Sequence, residues 1–317
     1  MAQSPRHLVG PHALSTSSDI KPLRSSNDYF PDRPASHAYH VYTNILASQF
    51  LSGFTIADFD MFQTHQFIGS STAPKQGPFH ASVRALGNGP ITVTDVPGQS
   101  DASVYKRVCG RARDGKTVAL NGDAPVQVSD DRCFDEVAQG EDGRGLRGYS
   151  KSEWGVIMGL WNVRDNGGWV RDTLSFEDVV AAGFGAAKRI ACWSHSRWDV
   201  MVLPAEPQDI VLKELEFDVF TMVEMGKGIA CLGLIDKFNT LAAIHSCEGN
   251  IWNFKCLGEA LWAIDGRHVA KVKIEGQVIS CICWMVDGVT FVRASLTDYK
   301  EIVQDMDQCY WQVELSY

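Results

Sequence analysis

The feature that most restricts what this chain can fold into is a change of hydrophobic rhythm near its middle. Before residue 98, helix-like and strand-like segments alternate. Residues 36–51 carry Val41, Ile45 and either Leu46 or Gln49 at helical spacing, with Ser36 as the expected N-cap and Gly53 as the stop. Residues 54–57 read as a short strand, and residues 78–86 as a second helix with Pro78 in its first turn and Gly87 at its end. Residues 91–94 are a β-branched strand running into Asp95, followed by a Pro97-Gly98 turn. Such alternation implies parallel strands joined by helical crossovers. From Trp154 the pattern switches to short apolar runs split by turn residues, at 156–163, 189–193, 200–203, 217–223, 229–235, 278–286 and 310–315. That is the signature of an antiparallel β-sandwich. The fold class expected is therefore α/β followed by all-β. The intervening residues 99–150 read as an irregular connection.

Two acidic segments bracket the first helix. One is Arg24-Ser25-Ser26-Asn27-Asp28-Tyr29-Phe30-Pro31, the other Asp58-Phe59-Asp60-Met61-Phe62-Gln63. The order of loop, helix, strand and loop places both at the same end of neighbouring parallel strands, and the carboxyl ends of such strands carry the chemistry of α/β folds. Arg24 offers a planar fork for a carboxylate or for sugar hydroxyls. Asp28, four residues on, could donate a proton: burial and nearby carboxylates would raise its pKa, while Arg24 would lower it. A solvated turn with Asp28 capping a helix is the plainer alternative. Asp58 and Asp60 alternate with Phe59 and Met61, which puts both carboxylates on one face of an extended segment. Like charges leaving an apolar run call for a ligand or cation, although a plain strand end stays open. His37 and His40 could share a helix face, but no third ligand follows at metal-site spacing. His80 reads as a packed or capping residue.

These motifs, in this order, resemble the raffinose synthase and seed-imbibition-protein family, relatives of the retaining α-galactosidases of glycoside hydrolase family 36. The resemblance continues through Phe79-His80-Ala81, the run from Gly89 to Gly98, Gly159-Leu160-Trp161-Asn162-Val163 and Gly233-Leu234-Ile235-Asp236-Lys237. It is densest over residues 24–98 and thins at 110–150 and after 250. It implies a partial (β/α) barrel, roughly the second half, over residues 1–98, and an antiparallel β-sandwich over 151–317. It also implies a double displacement by two aspartates. By motif, Asp28 is the catalytic acid/base, and Arg24, Asp58 and Asp60 are substrate-binding. The substrate is an oligosaccharide with a terminal α-galactose. Hydrolysis leads as the reaction, because water needs no acceptor pocket. Galactosyl transfer from galactinol to sucrose is the first alternative, and a non-catalytic binding or interaction remnant the second. No cofactor and no metal are implied.

The departures from the family pattern are specific. Asn27 replaces a commoner acidic residue, Phe59 replaces a tryptophan, and residues 70–76 look like an insertion near the site. The family's nucleophile lies in a Lys-x-Asp-x-Gln strand, a motif these 317 residues do not contain. Met1 is accordingly expected to fall near the family's fifth barrel strand. The chain then reads as a C-terminal portion, inactive in isolation, whose open barrel edge invites self-association.

Composition narrows the remaining choices. A net charge of −9 argues against a nucleic-acid surface. No apolar stretch of about 18 residues is present to span a membrane. Residues 1–23 are Ser/Pro-rich and lack a secretory apolar core; alone they read as a disordered leader, and with the family Met1 to Leu14 reads as the remnant of a barrel strand and its loop. Nine cysteines at loose spacing suggest no disulfide framework and fit small buried side chains in a reducing, cytoplasmic compartment. Cys281 and Cys283 would face one side of a strand. Asp123, Asp130, Asp131 and Asp142 lack EF-hand spacing and read as a solvated loop. His195 reads as structural.

Overall fold

The computed structural model describes residues 22–24, 26–51, 55–65, 76–128, 143–164, 167–183, 189–203, 206–226, 228–299 and 309–317. Residues 1–21, the Gly53 stop, most of the 70–76 segment, Cys133, and Asp130, Asp131 and Asp142 lie outside them.

The first part is built from parallel pairs. Strand β1 (Pro22–Arg24) leads through helix α1 (Pro34–Leu51) to β2 (Ile56–Asp58), and the two strands pair in parallel with Arg24 opposite Asp58. Strand β3 (Met61–Phe62) leads through α2 (Gln76–Leu86) to β4 (Thr92–Val93), again parallel, with Phe62 opposite Val93. Among the described residues these remain separate two-stranded pairs. Helix α1 starts earlier than expected. Pro34 takes the first turn, where its missing N–H loses no bond. Ser36 is therefore not the N-cap; its hydroxyl donates back to the Phe30 and Arg33 carbonyls at 3.1 and 2.7 Å. The buried face of α1 is His37, Ala38, His40, Val41, Asn44, Ile45 and Ser48, a helical stripe that is largely polar. Helix α2 is buried on nearly every side.

Residues 99–150, expected to be irregular, are ordered where they are described. Asp101 caps α3 (Ala102–Val108) by accepting from the Ser103 N–H. Strands β5 (Cys109–Arg111) and β6 (Thr117–Ala119) form a hairpin, and β7 (Gln127–Val128) and β8 (Leu146–Lys151) follow. The apolar anchors here are isolated: Val104, Val108, Leu120, Val126 and Leu146 are all buried, but no continuous run announces them.

Antiparallel strands dominate the rest. They are β9 (Val156–Trp161), β10 (Val170–Leu174), β11 (Ile190–Ser194), β12 (Asp199–Leu203), β13 (Gln208–Leu212) and β14 (Phe217–Glu224), with α4 (Phe176–Ala181) between β10 and β11. Then come β15 (Ile229–Leu234), β16 (Ile244–Glu248), β17 (Ile251–Phe254), β18 (Glu259–Asp265), β19 (Lys271–Ile274), β20 (Gln277–Ile279), β21 (Cys281–Val286), β22 (Val289–Ser295) and β23 (Trp311–Ser316). The largest sheet has the order β12-β11-β14-β9-β8-β7, so it already contains β7 and β8 before residue 151. The orders β15-β18-β22-β21 and β16-β17-β23-β19-β20 make the other large sheets.

Strand β9 separates two cores by its period of two. Ile157 and Trp161 face the main core, while Val156, Met158 and Leu160 face a smaller one under β10 and α4. Gly159 leaves room for the Trp161 indole, whose ring would lie 2.0 Å from any Cβ at that position. The main core runs without a break from Tyr29 to Leu315, so sheets and parallel pairs share it. Polar ties reinforce the junction. The Trp161 indole N–H donates to Ser82 Oγ at 2.8 Å, Asn239 Nδ2 to the Ala85 carbonyl at 3.1 Å, and the Phe238 N–H to the Arg107 carbonyl at 2.9 Å.

The cysteines divide. Cys192, Cys231 and Cys256 are buried, and burial pushes each thiol up, in Cys256 to about 11. Cys247, Cys283 and Cys309 are exposed, which corrects the expectation of uniformly buried thiols; β21 is an edge strand that leaves Cys283 uncovered.

Trp161→Ala should lower unfolding free energy by about 3–5 kcal/mol, since it empties a fully buried site and removes the indole donor to the Ser82 hydroxyl. Trp161→Phe should cost distinctly less. Urea unfolding measures both, and a loss below about 1 kcal/mol for the alanine variant would mean that Trp161 does not tie α2 to the sheet.

Candidate functional site

Parallel pairing of β1 and β2 sets Arg24 beside Asp58 at the carboxyl ends of both strands. One guanidinium nitrogen of Arg24, Nη2, meets the Asp28 carboxylate closely and lies 3.4 Å from Asp60 Oδ2. Asp60 Oδ2 also accepts the Tyr29 N–H at 3.0 Å, and Asp58 Oδ1 accepts the Asp60 N–H at 3.0 Å. Arg24, Asp28, Asp58 and Asp60 thus share one cluster. Their environments differ: the Asp28 side chain is 64% exposed and that of Asp60 only 10%.

Strand alternation is not what brings Asp58 and Asp60 together. Asp60 has φ +59°, so the chain turns sharply between β2 and β3. A left-handed residue bearing a side chain costs roughly 1–2 kcal/mol, least for Asn and Asp. The Asp58 side chain, bonded to the amide two residues on, helps to hold this turn. From α2, Arg84 holds it as well. Its Nη2 donates to the carbonyls of Phe59, Asp60 and Met61 at 2.5, 3.1 and 3.1 Å, and its Nη1 to the His80 carbonyl at 3.0 Å. The guanidinium lies over the Phe62 ring, 4.7 Å from its centroid. Burial draws its pKa down to about 10, against the opposing pull of Tyr29, Asp60 and Asp58.

Behind the carboxylates, Tyr29, His37, His40 and His80 pack edge to face. The His40 ring lies among two carbonyls and a cation: Nδ1 is 2.9 Å from the Asn27 carbonyl, and Nε2 is 3.0 Å from the Phe59 carbonyl and 3.2 Å from Arg84 Nη2. With His37 Nε2–H on the Pro31 carbonyl at 3.4 Å, His37 Nδ1 accepts from His80 Nε2–H at 2.8 Å. Burial favours the neutral form of all three rings. Desolvation first, and Arg84 second for His40 and His80, holds them below the ordinary histidine range: His37 and His40 at about 4, and His80 well below 6.5. Among the described residues no three His, Cys, Asp or Glu side chains form a group that could hold a metal ion.

A fourth carboxylate has its own network. Asp95, just past β4, accepts the Thr64 N–H at 2.6 Å, the Thr64 hydroxyl at 2.5 Å, His65 Nδ1–H at 3.0 Å and the Tyr105 hydroxyl at 3.1 Å. Burial alone would raise its pKa, but the bonds from Thr64, His65 and Ser100 outweigh it and hold the carboxyl at about 2. Thr64 Oγ1 accepts the Asp101 N–H at 2.9 Å, so the network locks α3 to the end of β3. His195 sits apart. It is buried against Phe238 and accepts from Arg107 Nη1 at 3.1 Å; desolvation, then Arg107, draws it to about 3.

The sequence pattern missed Arg84 and Asp95. The signal for Arg84 was a lone cation in the otherwise small and apolar run Ala81-Ser82-Val83-Arg84-Ala85-Leu86. For Asp95 there was only its place at the end of a strand.

The family described as raffinose synthase or seed imbibition protein Sip1 matches residues 11–181. Probable galactinol–sucrose galactosyltransferase 1 of Arabidopsis thaliana is 27% identical over 250 residues, 71% of this chain and 31% of that protein. Probable galactinol–sucrose galactosyltransferase 6 of the same plant is 25% identical over 262 residues, 74% of this chain and 33% of its own length. The chain thus spans about a third of the curated relatives it matches. Among solved structures, a GH27 β-L-arabinopyranosidase from Geobacillus stearothermophilus aligns with TM-score 0.44 and 10% identity, over 65% of this chain and 45% of that one.

The buried histidines set a pH dependence. Unfolded histidine takes up protons near pH 6.5, whereas His37 and His40 resist protonation until about pH 4. The unfolded state therefore binds more protons between these values, and stability falls as pH is lowered through that window, by up to about 1.4 kcal/mol per pH unit for each such histidine. Urea midpoints measured from pH 7.5 to 4.5 should drop steadily below 6.5. A flat profile would contradict neutral burial of these rings. The contribution of Asp95 is lost only lower, below the ordinary carboxylate value of 3.8.

Proposed function

The chain belongs to the raffinose synthase or seed imbibition protein family, and on that premise we propose that it contributes the acid/base and galactose-holding side of a retaining α-galactoside site. The observation that carries this reading is the pair of carboxylates, Asp28 and Asp60, meeting one nitrogen of Arg24 at the carboxyl ends of parallel strands. In this reading β1 to β4 with α1 and α2 are strands and crossovers of a (β/α) barrel within residues 1–98. Helix α3 and the β5–β6 hairpin connect it to antiparallel sheets, the largest of which takes in β7 and β8.

Each residue has a task that its setting suits. Asp60 and Asp58, fixed by amide bonds, accept hydroxyls of the galactose ring. Arg24 donates to a hydroxyl near the reacting carbon. Asp28, exposed and paired with Arg24, is the proton carrier. Contact with Arg24 favours the carboxylate form, so a sugar that takes over Arg24 frees Asp28 to hold a proton. Asp28 then gives this proton to the departing oxygen while a carboxylate attacks the anomeric carbon, and later withdraws a proton from the incoming acceptor. The family places the attacking carboxylate in a Lys-x-Asp-x-Gln segment, a motif not found in these 317 residues.

Hydrolysis and galactosyl transfer share these steps and differ in the acceptor. Transfer is the second reading, favoured by two relatives named as galactinol–sucrose galactosyltransferases. Chromatography of the products formed with and without sucrose separates the two.

Asp28→Asn in the full-length protein should lower turnover of α-galactosides with basic leaving groups by about 10²–10⁴-fold. Aryl α-galactosides with activated leaving groups should suffer much less in the first step. Equal, small losses for both classes would remove Asp28 from the acid/base role.

A further inference from the structure

We propose that Arg84 is a positioning residue for the galactose-holding carboxylates, acting through the backbone of the Phe59–Asp60–Met61 turn without touching the sugar. The inference rests on the functional reading above for what the carboxylates do. The clamp itself rests on geometry alone.

Three consecutive carbonyls cannot ordinarily point at one donor. In a strand successive carbonyls alternate in direction. Here they converge on Arg84 Nη2 because Asp60 is left-handed, with φ +59°. The same turn brings the Asp60 N–H onto Asp58 Oδ1 and Asp60 Oδ2 onto the Tyr29 N–H and Arg24. Directions of both carboxylates are therefore linked to one guanidinium. Arg84 is 2% exposed, and the contacts of its Nη atoms are backbone carbonyls and His40. Lysine could replace the charge but not the planar fork, whose two terminal nitrogens reach the turn and the His80 carbonyl together. Helix α2, which carries Arg84, is itself docked on the sheets through Ser82 and Ala85. The cation is thereby held by parts of the fold remote from the carboxylates.

The test uses Arg84→Gln, Arg84→Lys and Asp60→Asn, singly and as the double variants with Asp60→Asn, in the full-length protein. Melting curves identify which variants fold; Arg84→Lys retains a cation and serves if Arg84→Gln does not. Amide hydrogen exchange reads the clamp directly. The Tyr29 and Asp60 amides should lose protection in the Arg84 variants while amides of β9 and β14 keep theirs. Calorimetric galactose binding and kcat/KM read the consequence. Misplaced carboxylates should weaken galactose binding and lower kcat/KM about 10²-fold in Arg84→Gln. That loss should be the same for activated and unactivated leaving groups, unlike the loss in Asp28→Asn. If Arg84 acts through Asp60, the double variants should be no worse than the worse single variant. Additive losses, unchanged protection at Tyr29 and Asp60, or lost protection with unaltered binding would each overturn the proposal. A wild-type protein that binds neither galactose nor α-galactosides would instead sink the functional reading on which it rests.

Discussion

A guanidinium buried without an ion-pair partner of its own has to be compensated by oriented dipoles, because an unsolvated charge in a packed interior is otherwise prohibitively costly. Arg84 finds that compensation in four backbone carbonyls, three of them on consecutive residues. The requirement works in both directions. The turn needs the cation to hold its carbonyls together, and the cation needs the turn. Its cost is met partly through the field of Asp58 and Asp60, which pull the Arg84 pKa back up against desolvation. A second guanidinium, Arg24, meets Asp60 and Asp28 from the more exposed side. The acidic turn is thus sandwiched between a sealed cation and an accessible one. That arrangement flanks the acidic turn with positive charge while leaving one side open to a ligand.

The sheets matter to this site through helix α2. Trp161 and Asn239 bind it from the antiparallel side, and the main core is continuous across the junction. On the opposite side His37 and His40 of α1 bind carbonyls or other histidines of the parallel part. The neutral histidine cluster fills the space between α1 and α2 with groups that can be hydrogen-bonded without bringing further positive charge next to Arg84. An apolar filling would leave Asn27 and Pro31 carbonyls without those partners. A charged one would repel the guanidinium.

Much of this was legible in the amino-acid sequence, for physical reasons particular to each element. The helical spacing of Val41 and Ile45 in α1 and the dense apolar runs of β9, β14 and β15 announce themselves, and their observed bounds lie close to the expected ones. Ser36 misled because its hydroxyl suits an N-cap, while Pro34 two residues earlier is the better first-turn residue. The segment 99–150 misled because its buried anchors are single valines and leucines spaced among polar residues. Strands such as β13 and β19 alternate exposed and buried positions over only four or five residues, too few to stand out. In the site, motif spacing located Arg24, Asp28, Asp58 and Asp60 as a group. It gave the wrong local reason for the last two: the left-handed backbone at Asp60 depends on a partner 24 residues away in sequence, which no local pattern records.

The central claim is that the carboxylates gathered around Arg24 form the galactose-holding side of a glycoside site. A crystal structure of the full-length protein soaked with galactose tests it most directly. The account predicts the ring seated at the carboxyl ends of β1 and β2, with hydroxyls on Asp58, Asp60 and Arg24 and the anomeric oxygen turned toward Asp28. Galactose bound elsewhere on the protein, with the Arg24–Asp60 contact undisturbed and unoccupied by sugar, would contradict it.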